Sequence, residues 1–122
     1  LLEILWRTAA GSLDEASFDF SPKTACTVVM CSEGYPGSYR KGLPISGLDE
    51  AARQEDVVVF HAGTRLDPDG RVSTNGGRVL GVTALADELR GARDRANDTC
   101  GLIQFEGAFY RHDIGERVLT PA

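Results

Sequence analysis

The segment Thr74-Asn75-Gly76-Gly77-Arg78-Val79-Leu80-Gly81 runs a polar double-glycine turn straight into an apolar stretch. Asn followed by Gly favours a tight hairpin, because both residues tolerate positive φ, so residues 71–74 and 78–84 are expected to pair antiparallel across it. One or two permissive positions suffice for such a turn, which leaves the second glycine surplus. Beside an arginine, a surplus glycine fits backbone that comes close to something, with N–H groups free to donate. The forked guanidinium of Arg78 then suits a phosphate or carboxylate. A plain hairpin ending in a solvated arginine accounts for the same local pattern.

The flanking sequence extends the antiparallel theme. Residues 24–31, Thr-Ala-Cys-Thr-Val-Val-Met-Cys, show too little polar alternation to leave one face in water, which predicts a central strand. Residues 56–61 read as a second buried strand and residues 105–111 as a final one, closed by a turn at Asp113-Ile114-Gly115. Asp67-Pro68-Asp69-Gly70 reads as a further turn, and residues 48–52 as a short helical one. The glycines, proline and two tyrosines of residues 32–39 predict a long ordered loop. Leu85, Leu89, Ala92, Ala96, Cys100 and Ile103 share the spacing of one helical face, with Asp87 as the expected N-cap. Arg90, Arg93, Asp94, Arg95 and Asp98 lie opposite and read as a solvated face of mixed sign. The fold class is therefore α+β: a small antiparallel sheet or partial barrel of about 4–5 strands packed with one long helix.

At the beginning, Leu1, Leu2, Leu5, Trp6 and Ala9 share a helical face and Gly11 is a plausible terminator. So short a helix needs a surface on which to bury its leucines and Trp6. It reads as the cut end of something longer, with a boundary that assigns residues 1–16 to a preceding unit and 17–122 to this domain.

A chain of 122 residues is long enough for one domain with a core of its own, without metal or disulfide support. The formal net charge of −5 argues against a nucleic-acid partner, so any anion site must be local. Three cysteines without paired metal spacing suit core thiols in a reducing, cytoplasmic setting. No run approaches the roughly 18–20 apolar residues that span a bilayer, and no membrane partner is expected. Constellations for catalysis are thin: no Walker loop, no Gly-x-Ser-x-Gly elbow and no His/Cys cluster with ligand spacing. No catalytic residue and no metal ligand is assigned. His61 ends an apolar strand where a side chain can enter a cleft, though a structural hydrogen bond explains it as well. Glu106, Asp113, His112, Arg40 and Lys41 all have ordinary surface explanations.

Four motifs occur in order: Ser32-Glu33-Gly34-Tyr35-Pro36-Gly37 with Tyr39, Lys41 and Gly42; His61-Ala62-Gly63-Thr64; the 74–83 segment; and Phe105-Glu106-Gly107 with Phe109-Tyr110-Arg111 and Asp113-Ile114-Gly115. Together they closely resemble the C-terminal domain of the phosphoribosylamine–glycine ligase family, also called glycinamide ribonucleotide synthetases, in the ATP-grasp superfamily. The resemblance runs from about Ala25 to Leu119, and departs at Asn97, where the family often has a tyrosine. It implies an ATP-dependent ligase of purine biosynthesis: ATP phosphorylates the glycine carboxylate, and the amine of 5-phosphoribosylamine attacks the acyl phosphate to give glycinamide ribonucleotide.

In such an enzyme ATP and Mg2+ (or Mn2+) are held mainly by the ATP-grasp domain, and no cofactor is expected on this chain, which alone should be inactive. Residues 1–16 correspond to the last helix of that domain, on which this one packs. By resemblance the C-terminal domain closes one side of the cleft, with Asn75, Gly76, Gly77 and Arg78 as expected phosphoribosyl contacts. Gly34, Tyr35, Pro36 and His61 are the possible cleft-lining residues. A purely structural interdomain module and a stand-alone module for a phosphorylated metabolite are the alternatives.

Overall fold

The computed structural model describes residues 1–120, so the last two residues of the expected 17–122 domain lie outside the described ones. Helix α1 (Leu2–Ala10) ends at Gly11, which takes the left-handed conformation with φ 74°. After a single 3-10 turn the chain enters β1 (Thr24–Cys31), then α2 (Leu48–Ala51), β2 (Val57–His61), β3 (Thr64–Leu66), β4 (Val72–Thr74) and β5 (Arg78–Ala86). Helix α3 (Leu89–Leu102) and the short α4 (Glu116–Leu119) complete it. The architecture is α+β, with one antiparallel sheet of three strands, ordered β1-β5-β2, and a separate antiparallel pair β3-β4.

The core lies between the three-stranded sheet and α3. Val28 and Met30 from β1 and Val82 and Ala84 from β5 are fully buried in one cluster with Ala96 and Cys100 of the helix, and Ala92 is buried one turn earlier. Each buried valine or methionine removes apolar surface worth roughly 1.5–3 kcal/mol from water. The helical face expected from sequence is the one that packs. Its start is later than expected: Leu85 belongs to β5, the N-cap position is Glu88 in extended conformation, and no side chain caps the helix. The strand's nine residues, held on both edges, outrun the helical spacing there.

Three further expectations are corrected. The central strand is β5, and β1 is an edge strand with strictly alternating burial up to Met30. Alternation was invisible because the exposed positions Ala25, Thr27 and Val29 are themselves apolar or β-branched. β2 is likewise half open, with Val58 53% and Phe60 57% exposed, so one face of the sheet carries apolar side chains uncovered. Residues 105–111 form no strand: Gly107 turns the chain at φ 70°, and only a single bridge, Phe109 to Cys31, reaches the edge of β1.

The double-glycine segment is not a hairpin. β4 pairs with β3 through the Asp67–Gly70 turn, where the Asp67 N–H donates to Arg71 O at 2.8 Å. Neither Gly76 nor Gly77 has positive φ, so the primed turn that would fold β4 back on β5 is not made. The segment instead carries the chain from one sheet to the other.

Candidate functional site

Where the crossover meets the open face of the three-stranded sheet, a cleft of about 490 Å³ forms. Val29, Phe60 and Gly81 make its floor, Tyr35 and Tyr39 come from the 32–39 loop, and Gly77 and Arg78 enter from the crossover. A second, more apolar cavity of about 380 Å³ adjoins it, lined by Cys31, Pro36, Phe109 and Tyr110 among others. Val29, Tyr35 and Arg78 belong to both, so Arg78 stands on the partition between them.

Many of the other arginines are engaged. Arg65 pairs with Asp67 at 2.8 Å, Arg93 with Glu116 at 2.7 Å and Arg111 with Asp113 at 2.6 Å. Among the described residues no carboxylate pairs with Arg78, whose side chain is exposed. Its charge is felt by Cys31, although burial is the larger effect and pushes that thiol's pKa up. An uncommitted guanidinium at a cleft is suited to an incoming anion.

The crossover is held by contacts from three sides. Gly63 O accepts the Asn75 N–H at 2.7 Å. Gly77 O accepts the Ser32 N–H at 2.8 Å, and Gly76 O accepts the Ser32 hydroxyl at 3.0 Å. Buried Thr74 exchanges N–H and C=O bonds with Leu43 and Gly42, and its hydroxyl accepts the Leu43 N–H at 3.1 Å. No acceptor among the described residues takes the N–H of Gly76 or Gly77. The rings of Tyr35 and Tyr39, with centroids 6.5 Å apart, lie over Gly77, where any Cβ would strike them.

Of the residues singled out from sequence, Tyr35, Gly77 and Arg78 meet in one cleft, and Pro36 lines the adjoining cavity. Asn75 and Gly76 continue the same backbone, with Asn75 exposed. Gly34 and His61 line neither cavity; His61 places Nδ1 3.1 Å from the Thr64 hydroxyl, while its neighbours Phe60 and Ala62 face the cleft. Glu106 pairs with Arg40 at 2.5 Å, and the His112 ring lies tilted against Tyr110 with centroids 4.6 Å apart. Ser32, Gly63 and Thr74, which fix the crossover, carried no local signal as single residues. Among the described residues no group of three or more His, Cys, Asp or Glu side chains is placed to hold a metal ion.

A family model described as "Phosphoribosylglycinamide synthetase, C domain" matches residues 25–117. The chain belongs to this family. The C domain here is 50% identical over 120 residues to the chloroplastic phosphoribosylamine–glycine ligase of Arabidopsis thaliana, covering 98% of this chain and 23% of that protein. It is 52% identical over 101 residues to the trifunctional purine biosynthetic protein adenosine-3 of Gallus gallus, covering 83% of this chain and 10% of that one. The crystal structure of phosphoribosylamine–glycine ligase from Thermotoga maritima superposes with a TM-score of 0.69 at 28% identity, covering 91% of this chain and 27% of that one. The C domain thus spans about a quarter or less of the length of these relatives. No helix among the described residues is long and apolar enough to cross a membrane.

Proposed function

We propose that this C domain is the C-terminal part of an ATP-dependent ligase of de novo purine biosynthesis that joins glycine to 5-phosphoribosylamine, and that it holds the phosphoribosyl group. The observation that carries the reading is the uncommitted Arg78 directly after Gly77, at a cleft where the Gly77 N–H has no acceptor. A guanidinium and backbone N–H groups bind a phosphate without ionising or passing protons, so the contribution is orientation of the attacking amine. Asn75 and Gly76 shape the approach, and Tyr35 with Tyr39 closes one wall.

Among the described residues no group of three or more His, Cys, Asp or Glu side chains is placed to hold Mg2+, and ATP and Mg2+ are assigned to another part of the ligase. Their place is the ATP-grasp part of the longer protein. Residues 1–16 are assigned to that part, a reading supported by α1, whose Trp6 is 73% exposed and whose leucines are uncovered. The apolar face of the sheet and the loop beside it supply further surface for packing on the same domain. Three buried free thiols support a reducing compartment, proposed as the cytoplasm.

In the full-length ligase, Arg78→Ala is expected to raise KM for phosphoribosylamine by more than about tenfold, with KM for glycine and ATP within about twofold. Equal rises for all three substrates would show that Arg78 supports the fold or a domain interface.

A further inference from the structure

The peptide unit between Gly76 and Gly77 has no side chain on either flank, and is therefore among the least restrained in the chain. Its orientation has to be imposed from outside. The hydroxyl of Ser32 donates to the Gly76 carbonyl at 3.0 Å, and the Ser32 N–H donates to the Gly77 carbonyl at 2.8 Å. In a trans peptide the C=O and the following N–H point in opposite directions. Holding the Gly76 carbonyl towards Ser32 therefore aims the Gly77 N–H away from it, and Gly77 lines the cleft beside Arg78. Ser32 is 1% exposed, so water does not compete for the clamp.

We infer that Ser32 is a positioning residue for anion binding: it touches no substrate, and fixes the Gly76–Gly77 peptide so that its N–H and the Arg78 guanidinium address one phosphate. This inference rests on the reading of Arg78 as a phosphate contact. Ser32 lies 44 positions from Gly76 in sequence, joining the 32–39 loop to the crossover. A serine there supplies two donors, one from backbone and one from side chain, to two successive carbonyls. Alanine keeps the first and loses the second, leaving the Gly76 carbonyl unpartnered beside a buried methyl group.

The test uses the full-length ligase with Ser32→Ala, Ser32→Cys, Ser32→Thr and, in parallel, Arg78→Ala. Alanine and cysteine remove the strong hydroxyl donor, cysteine with little change of volume, whereas threonine retains it. Expected is a rise of about tenfold in KM for phosphoribosylamine for the first two, with kcat and both other KM values within about twofold. Ser32→Thr should return phosphoribosylamine KM to within about threefold of the parent.

If Ser32→Ala and Ser32→Cys leave that KM unchanged while Arg78→Ala raises it, the Ser32 inference is overturned and the phosphate reading stands. No response to Arg78→Ala overturns the phosphate reading, and the inference with it. A rise shared by all three substrates, not rescued by threonine, would make Ser32 a fold-stabilising residue only.

Discussion

The backbones of Gly63 and Gly76 lie against each other: a Cβ on Gly63 would stand 2.7 Å from Gly76 Cα and 2.5 Å from the carbonyl oxygen of Arg78. The reverse holds as well, since a Cβ on Gly76 would fall 2.9 Å from Gly63 Cα. The glycine at 76 thus serves close approach of two backbone segments, with no need for a left-handed turn. The Asn75 N–H to Gly63 O bond, 2.7 Å long, closes the same contact and brings the end of β2 beside the crossover.

Gly63→Ala and Gly76→Ala should each cost about 1–3 kcal/mol, because the opposing atoms are main chain and must shift as a unit. Thermal unfolding checks this, with a fall of several degrees expected for a domain of this size. An unchanged midpoint would mean that the two segments separate without cost.

Gly77 meets side chains instead. A Cβ there would fall 2.2 Å from Tyr35 Cδ2 and 3.0 Å from Tyr39 Cε1. Rings can swing away, so Gly77→Ala is expected to cost about 1–2 kcal/mol alone and clearly less in a Tyr35→Ala background. A double-mutant cycle by urea denaturation measures the difference, with a coupling of about 0.5 kcal/mol or more expected. Strict additivity would place the Tyr35 ring elsewhere in solution.

Legibility of the fold in sequence followed the range of the interactions concerned. The packed face of α3 was readable because the buried Ala92, Ala96 and Cys100 repeat at helical spacing. The partner of β4 was not, because Asn75-Gly76 mimics a hairpin turn while the decisive hydrogen bonds run to Leu43, Gly42 and Gly63. Strand β1 hid its alternation because the open face of the sheet is apolar at Val29, Val58 and Phe60. At the site, Arg78 and the glycines announced themselves by residue type. Ser32 did not, since a serine becomes a clamp only through the distant carbonyl it meets.

Acid titration offers a separate check on how the sheet is tied to α3. Asp56, at the entrance to β2, receives both Lys23 Nζ contacts, at 2.6 and 2.8 Å, and lies 3.5 Å from Arg95. The hydrogen bond from Lys23, helped by the charges of Lys23 and Arg95, holds its carboxyl below the ordinary aspartate value of 3.8. A depressed folded-state pKa contributes stability above the unfolded-state value, near 3.9 for aspartate, and that contribution fades as pH falls through the folded-state value. Asp56→Asn keeps a side chain that tolerates the local φ of 58° and removes the titration. Stability should therefore be lower than the parent's near neutral pH, with the gap closing below about pH 4. Denaturant midpoints between acid and neutral pH measure it, and a gap that persists unchanged to the lowest pH would assign the loss to the ion pair's shape instead of its charge.

The three thiols report on the packing around the sheet. Cys26, Cys31 and Cys100 are all buried and free, and burial raises the pKa of each, Cys100 to about 12. Alkylation proceeds through the thiolate, so low exposure and a scarce thiolate both slow it near pH 8. Cys100, packed between α3 and the sheet at 1% exposure, should be the slowest in the native protein, while all three should react at similar rates in denaturant. Mass spectrometry after a short iodoacetamide pulse distinguishes them. Prompt native labelling at Cys100 would show that α3 separates from β1 and β5 on the timescale of the pulse, and that the core supporting the cleft is looser than its packing.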